Sequence, residues 1–453
     1  MPTQYLIIGS GAAGMAAAEA IRRHDAQGHI VILSEEAHGY YSRPSLAYLL
    51  TNEIPEQSVY PFDARDLARL GVRLLHAPVA QLGPTAHEVI LVNGTHVPYD
   101  RLLLATGAQA ARLQAPGVDL QGVVKLDNLD DARQILKLAR HARTAVVVGG
   151  GITAIEIVEG LRARQVEVHY FLRGDRYWSN VLDETESRIV EARLRAEGVH
   201  LHYRTELAAI LGEGGRVRAV LTTAGEQIRC GIVAAAVGVL PRTELARAAG
   251  LHTERGIVVN EHLQSSAPDI FAAGDVAQVT DTRTGRALLD TLWSTALQQG
   301  RLAGLNMAGL ASPYQRAASL NVTRLAGLTT TIIGAIGTGR REEDTIAIVR
   351  GDSESWRSTT DAVAQTEFEV NRVRVMIGQQ TLVGALVMGD QTLSYPLQHL
   401  IAGQVDISPI RNHLLAPDAP LLDIIRGYWE SHRASAAKRP SATGRGSHDT
   451  TPA

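Results

Sequence analysis

Cysteine is nearly missing from this chain: Cys230 is the one thiol in 453 residues. A single thiol closes no intrachain disulfide and supplies no Cys-x-x-Cys redox pair. Thiolate-held iron–sulfur clusters and cysteine-rich zinc sites each take several such ligands, so this chain builds neither alone. The low count fits a reducing compartment. An excess of one charge is missing too. Lys and Arg number 44 against 47 Asp and Glu, a net −3, which leaves no global basic footprint and no expectation of a nucleic-acid partner. No apolar run approaches the about 18 residues that would suggest a membrane span. The opening Met1-Pro2-Thr3-Gln4 leads straight into an apolar strand, without the basic and apolar regions of a secretory signal. The expectation is a soluble, cytoplasmic chain with no membrane partner. Aromatics are only 4%, but hydrophobic residues reach 45% and charged residues 20%. That is a globular composition with a substantial core, and the length allows about three domains.

What is present is a repeated pattern. Residues 5–8 (Tyr-Leu-Ile-Ile) form a short apolar run that meets Gly9-Ser10-Gly11-Ala12-Ala13-Gly14. An Ala-rich helical stretch follows, then the apolar run Ile30–Leu33, then Ser34-Glu35-Glu36. The order is strand, glycine turn, helix, strand, acid. It returns at Ala145–Val148, Gly149-Gly150-Gly151-Ile152-Thr153-Ala154, a helix to about Ala163, and the strand Val166–Leu172. After about Pro313 the texture changes. Phe368-Glu369-Val370 and Val373–Ile377 alternate in period two, and Leu382–Val387 is a short apolar run. These predict the strands of a third, antiparallel domain, closed by a helix over about Leu421–Trp429. From about Ala434 the chain loses apolar periodicity and reads as a disordered tail.

In Gly9-x-Gly11-x-x-Gly14 the first glycine permits a tight turn. The second lets the backbone approach a pyrophosphate, and the third lets helix and strand pack closely. The helix N-terminus offers free N–H groups to the phosphates. Glu35, about 20 residues on, stands where a carboxylate accepts from ribose hydroxyls. The second turn, Gly149-x-Gly151-x-x-Ala154, ends in an alanine that the fingerprint tolerates. Its second strand ends in Leu172-Arg173, with no ribose-binding carboxylate at that point. Arg173 there is either a partner for a 2′-phosphate, which leans the expectation to NADPH, or a solvated strand-end residue. Glu156 follows on the first turns of that helix and reads either as a dipole-favoured carboxylate or as a nicotinamide contact. Cys230, beside an apolar strand, reads as a small buried filler. His200-x-His202 places two rings on one strand face but reads as surface histidines, and no metal ligand set is assigned.

These residues resemble the FAD-dependent pyridine nucleotide(-disulfide) oxidoreductases with two dinucleotide-binding domains, over roughly residues 4–430. Five segments carry the resemblance: Gly9–Gly14, Leu104-Ala105-Thr106-Gly107, Gly149–Glu156, Val237-Gly238-Val239-Leu240-Pro241 and Ile270-Phe271-Ala272-Ala273-Gly274-Asp275. Tyr41-Ser42-Arg43-Pro44 is similar to a stretch in ferredoxin- and rubredoxin-reductase relatives and in the flavin half of NAD(P)H nitrite reductase, as is Val383–Asp390. The resemblance implies an α/β fold of two Rossmann-like dinucleotide-binding domains plus a C-terminal α+β interface domain. It implies an FAD domain at residues 1–112 and 239–313, an NAD(P) domain at 113–238, an interface domain at 314–433 and a tail at 434–453.

It further implies that FAD is held by Gly9, Gly11, Ala13, Gly14, Glu35, Arg43, Val79, Ala105, Thr106, Gly107, Gly274, Asp275, Trp293 and Ala296. Arg43 would lie near the phosphates, and Val79 would touch the adenine through its backbone. The helix beginning at Trp293 would point its N-terminus at the flavin pyrimidine. NAD(P)H would be held by Gly149, Gly151, Ile152, Thr153, Glu156, Arg173 and Gly238. The departures are equally informative. Where disulfide-reducing relatives carry redox cysteines, the segment Pro44–Leu50 has none, and Tyr48 replaces a lysine frequent in ferredoxin-reductase relatives. The implied activity passes hydride from NAD(P)H to FAD and electrons onward to a separate acceptor, whether a ferredoxin- or rubredoxin-like carrier, a partner subunit or a small molecule, with no thiol relay and no assigned acid–base residue. Two other readings stay open: an FAD-binding redox-sensing interaction protein with slow turnover, and a peroxide-forming NAD(P)H oxidase. A homodimer is compatible with either.

Overall fold

The computed structural model describes residues 1–280, 285, 287–316, 318–336, 347–351 and 371–437. They fall into two compact units, one of Met1–Gly327 and one starting at Leu328.

The first unit is built on two parallel five-stranded sheets. One runs in the order Ile270–Ala272, Arg101–Leu104, Gln4–Ile8, His29–Ser34, Val72–His76. Its central strands are apolar on both faces: Leu6, Ile7, Ile32, Leu102 and Leu103 are all fully buried. Such continuous apolar runs are what a parallel sheet covered on both sides needs. The second sheet runs Val199–Tyr203, Glu167–Leu172, Thr144–Val148, Ile232–Ala235, Val123–Val124. In both sheets a central strand feeds a glycine turn and a helix, Ala12–His24 in the first and Ile152–Arg162 in the second. This is the expected α/β architecture of paired Rossmann-like halves.

The chain passes between the two sheets twice, and the two passages hydrogen-bond to each other. Ala108–Ala110 pairs antiparallel with Val239–Pro241. Both segments continue from the C-terminal ends of strands, where ligands bind in open α/β sheets.

The helix Ala12–His24 is nearly all small residues, with Ala13, Ala16, Ala17, Ala18 and Ala20 buried. The helix Trp293–Met307 lies against it so closely that a Cβ at Gly300 would stand 2.1 Å from the Ala13 carbonyl oxygen. Small side chains on both helices are therefore a packing requirement. The segment Leu320–Leu325 belongs with this unit: Arg324 forms a bidentate pair with Glu53 at 2.6 and 2.7 Å, and Gly327 N–H donates to Glu159 at 3.0 Å.

In the second unit the strands run Leu328–Gly334, Leu382–Met388, Arg372–Ile377, Ala347–Gly351, with antiparallel pairing, as the period-two alternation predicts. The expected strand at Phe368–Val370 lies outside the described residues. The last helix spans Leu421–Ala437, eight residues beyond Trp429 and past the Ala434 at which the tail was expected to begin. Alanine is the strongest helix former, so Ala434, Ala436 and Ala437 extend a helix that apolar periodicity alone ends earlier. No described helix is long and apolar enough to cross a membrane.

Candidate functional site: two glycine turns and a charged seam

The first turn is closed by backbone on backbone. Gly9 has φ +111°, and a Cβ there would stand 2.1 Å from the Ala105 carbonyl oxygen. At Gly14 a Cβ would meet the Gly9 oxygen at 2.0 Å. Gly11, by contrast, has open space where its Cβ would be. Gly11 also caps the helix without a side-chain hydrogen bond, so the first helical N–H groups are left for an outside acceptor. The three glycines thus divide the labour as their spacing implies. Ala13 and Ala296 approach Gly274 from two sides, at 3.1 and 3.7 Å from its would-be Cβ. The Gly274 N–H donates to the buried Gln299 side chain at 2.8 Å. These contacts bring Gly9, Gly11, Ala13, Gly14, Ala105, Gly274 and Ala296 around one turn.

Asp275 follows directly. Burial pushes its carboxyl up to about 6, with Arg43 offsetting part of the shift and Asp127 adding to it. A carboxylate in that state gains from a hydroxyl donor, which is what a ribityl chain offers. With the open Gly11 turn, it makes the residues present fit FAD. Trp293 starts its helix with the indole stacked on Tyr40, ring centroids 6.4 Å apart. That helix also lacks a side-chain cap. Val79 heads the strand Val79–Gly83 and packs on the same core.

A charged seam runs along the turn. Arg43 donates to Glu36 at 2.5 Å and to the Asp127 carbonyl. Tyr41 O–H donates to the same Glu36 at 2.5 Å and accepts from the Leu129 N–H at 3.1 Å. Arg242 joins Glu35 to Asp127, the latter at 3.3 Å, while its buried Nε has no partner among the described residues. Its carbonyl accepts from Thr106 Oγ1 at 3.0 Å, beside Gly107. Lys125 adds ion pairs to Asp127 and Asp131. Glu36, Tyr41, Asp127 and Arg242 were not singled out as site residues from sequence. Arg242 follows the Val237–Pro241 segment directly and was findable on that ground. Asp127 had no signal, because only folding brings it to the seam.

The second turn has the same backbone but different surroundings. Gly149 has φ +148°, with its would-be Cβ 2.2 Å from the Ala236 oxygen. Gly150, Gly151 and Gly238 have open space at theirs. Ile152 and Thr153 open the helix half-buried, and Gly151 caps it with no side-chain bond. Glu156 is pushed up to about 7, first by burial and then by the neighbouring Glu159, which is itself raised to about 7 by burial. Arg173 is exposed at its strand end. Cys230 lies in the core among Val146, Phe171 and Val233, and burial pushes its thiol up to about 12. It is a packed, unreactive thiol.

Comparison with known proteins agrees with this geometry. Residues 3–300 match the family model for pyridine nucleotide-disulphide oxidoreductases. The chain is 31% identical to the ferredoxin–NAD(+) reductase component of the biphenyl dioxygenase system of Paraburkholderia xenovorans, over 84% of this chain and 93% of that one. It is 29% identical to rubredoxin–NAD(+) reductase of Pseudomonas putida, over 68% and 80%. The ferredoxin reductase for the CYP199A2 system of Rhodopseudomonas palustris has the same fold, with a TM-score of 0.82 at 24% identity over 94% of this chain and 99% of that one. With its two glycine turns among five ordered motifs, the chain belongs to the pyridine nucleotide-disulphide oxidoreductase family and is an FAD-dependent NAD(P)H oxidoreductase.

Proposed function

We propose that this enzyme takes hydride from NAD(P)H docked on the second glycine turn and delivers electrons from FAD, held on the first, to a separate ferredoxin- or rubredoxin-type carrier. Bound FAD supplies the centre that accepts a hydride and releases electrons. The chain's residues bind, orient and shield. The N–H groups after Gly11 and Gly151 take the two pyrophosphates, Asp275 takes a flavin-chain hydroxyl, and the start of the Trp293–Met307 helix favours negative charge beside it. Hydride transfer needs orientation more than an acid or base.

One observation carries the thiol-free part of this reading. The segment where relatives keep redox cysteines is the helix Ser45–Leu50 preceded by Pro44, and the only thiol is core-packed Cys230. Electrons therefore leave through a partner, and the relatives' names support an iron–sulfur or rubredoxin-type protein as that partner. On the nucleotide the support divides. Arg173 favours NADPH, while relatives named as NAD(+) reductases favour NADH. Rates with both nucleotides on wild type and Arg173→Ala separate the two, since only a 2′-phosphate contact makes the variant lose NADPH rate alone.

The deciding experiment is anaerobic reduction by each nucleotide, followed by ferredoxin, rubredoxin, ferricyanide and oxygen as oxidants. The expected result is a yellow protein bleached at about 10 per second and reoxidised fastest by a carrier, with Cys230→Ser unchanged. A colourless protein that FAD does not reconstitute overturns the proposal. So does bleaching slower than about 0.1 per second, which marks a redox sensor, or reoxidation by oxygen alone, which marks an oxidase.

A further inference from the structure

At the edge of the second sheet, strand pairing assembles a group of side chains that the reaction does not use. Strands Glu167–Leu172 and Val199–Tyr203 run parallel, with His169 opposite His200 and Phe171 opposite His202. Alternation along a strand puts Glu167 and His169 on one face, and the register brings His200 and His202 to the same face. One nitrogen of His169, one of His200 and a carboxylate oxygen of Glu167 all lie within 4.8 Å of one another. His200 Nε2 is 3.0 Å from Glu167 Oε1. His169 Nδ1 is 2.9 Å from His202 Nε2, and with Nδ1 as the donor His169 Nε2 carries the lone pair that ligates. The His169 and His200 rings stack with centroids 4.8 Å apart.

We propose that Glu167, His169 and His200 form a binding site for one divalent transition ion of the zinc type, with His202 as the positioning residue that holds the His169 ring. Donor atoms around tetrahedral zinc stand about 3.3 Å apart. The His200–Glu167 pair is thus already at ligand spacing, and His169 needs a small swing. Two imidazoles and one carboxylate suit a borderline ion and leave a fourth position for water. Magnesium and calcium prefer all-oxygen sets. Metal-ligating histidines are held by a hydrogen bond from their other ring nitrogen, and His202 Nε2 can accept that bond from His169 Nδ1. An ordinary surface ion pair accounts for Glu167 and His200 but not for a third and fourth ligating group in one place. Gathered imidazoles repel when protonated, whereas a shared cation turns the same crowding into ligation.

Glu167 and His200 lie at the N-terminal ends of their strands, opposite the crevice where nucleotides bind. The ion would therefore clasp the edge strand to its neighbour without entering the reaction.

The test uses untagged, full-length protein freed of metal with EDTA and carrying its flavin. Zn(II) is titrated by calorimetry and Co(II) by visible absorbance. Wild type is expected to take up one ion per chain with micromolar affinity or tighter, to give a four-coordinate Co(II) spectrum, and to melt at a higher temperature with Zn(II). His200→Gln and Glu167→Gln alter exposed groups, so the variants should fold. Each is expected to bind at least about tenfold more weakly, and His202→Asn about tenfold more weakly, with metal-free melting unchanged. No saturable uptake by wild type overturns the proposal, as does uptake that His200→Gln leaves intact. A variant that lowers only the metal-free melting temperature marks a plain ion pair and overturns it equally.

Discussion

The two glycine turns share a sequence pattern and a backbone, and they differ in what stands behind them. The first is backed by a helix with Gly300 pressed on Ala13, and its acids Glu35 and Glu36 are each claimed by an arginine. The second replaces the third glycine with Ala154, ends its strand in exposed Arg173, and carries two acids along its helix, Glu156 and Glu159, whose carboxyls burial pushes up. The first is a rigid, charge-compensated cradle suited to a cofactor that stays. The second, ending in exposed Arg173, is the one proposed to take a co-substrate that arrives and leaves.

The strongest way to break the contrast is a side chain in the first turn. Gly9→Val combines a left-handed backbone with a clash against the Ala105 oxygen. It is expected to destabilise the protein by roughly 3 kcal/mol or more and to abolish flavin retention. Thermal melting and the flavin absorbance of purified protein read both, and normal flavin content in the variant would refute the rigid-cradle reading. Next is Gly149→Val, which makes the same clash against Ala236 in the other turn. Here flavin should stay while the rate of reduction by NAD(P)H falls roughly hundredfold. If flavin is lost as well, the two turns are not separable in the way proposed.

The smallest effect sharpens the electrostatic half. Glu156 holds its proton up to about 7 in the folded chain against 4.5 for an ordinary glutamate. The unfolded chain therefore loses that proton first as pH rises. The carboxyl's contribution is fully favourable below about 4.5 and is lost as pH rises through about 7. Glu156→Gln should add stability at pH 8, about 2 to 3 kcal/mol for a shift from 4.5 to about 7, and little at pH 4, and should flatten any inflection near pH 7 in the reduction rate. Urea unfolding at the two pH values measures the first effect. An equal gain at both pH values would show that the residue acts through packing instead.

Much of this was legible in the chain. Gly9 and Gly14 are demanded by backbone contacts with Ala105 and Gly9 itself, and such demands leave a fixed spacing in sequence. The apolar runs of the parallel strands are legible for the same reason, since burial on both faces permits nothing polar. The seam was only half legible. Glu35 and Arg43 sit in or beside motifs, but the bonds to Asp127 and Arg242 join residues far apart in the chain. The end of the last helix was misjudged because periodicity registers burial, whereas Ala434–Ala437 extend a helix by propensity alone.

By itself the sequence determined the family, the two glycine turns and the want of a second cysteine. Each of these depends on residue identity at local spacing: glycine where no Cβ fits, cysteine where sulfur must react. Tertiary structure alone decided which charges meet. It placed Arg242 on both Glu35 and Asp127, buried Cys230 away from any chemistry, and drew Glu167 and His169 to His200 and His202. The reason is strand register. His200-x-His202 looks like a pair of surface histidines until the neighbouring strand aligns His169 with His200, and no feature within either segment announces that pairing.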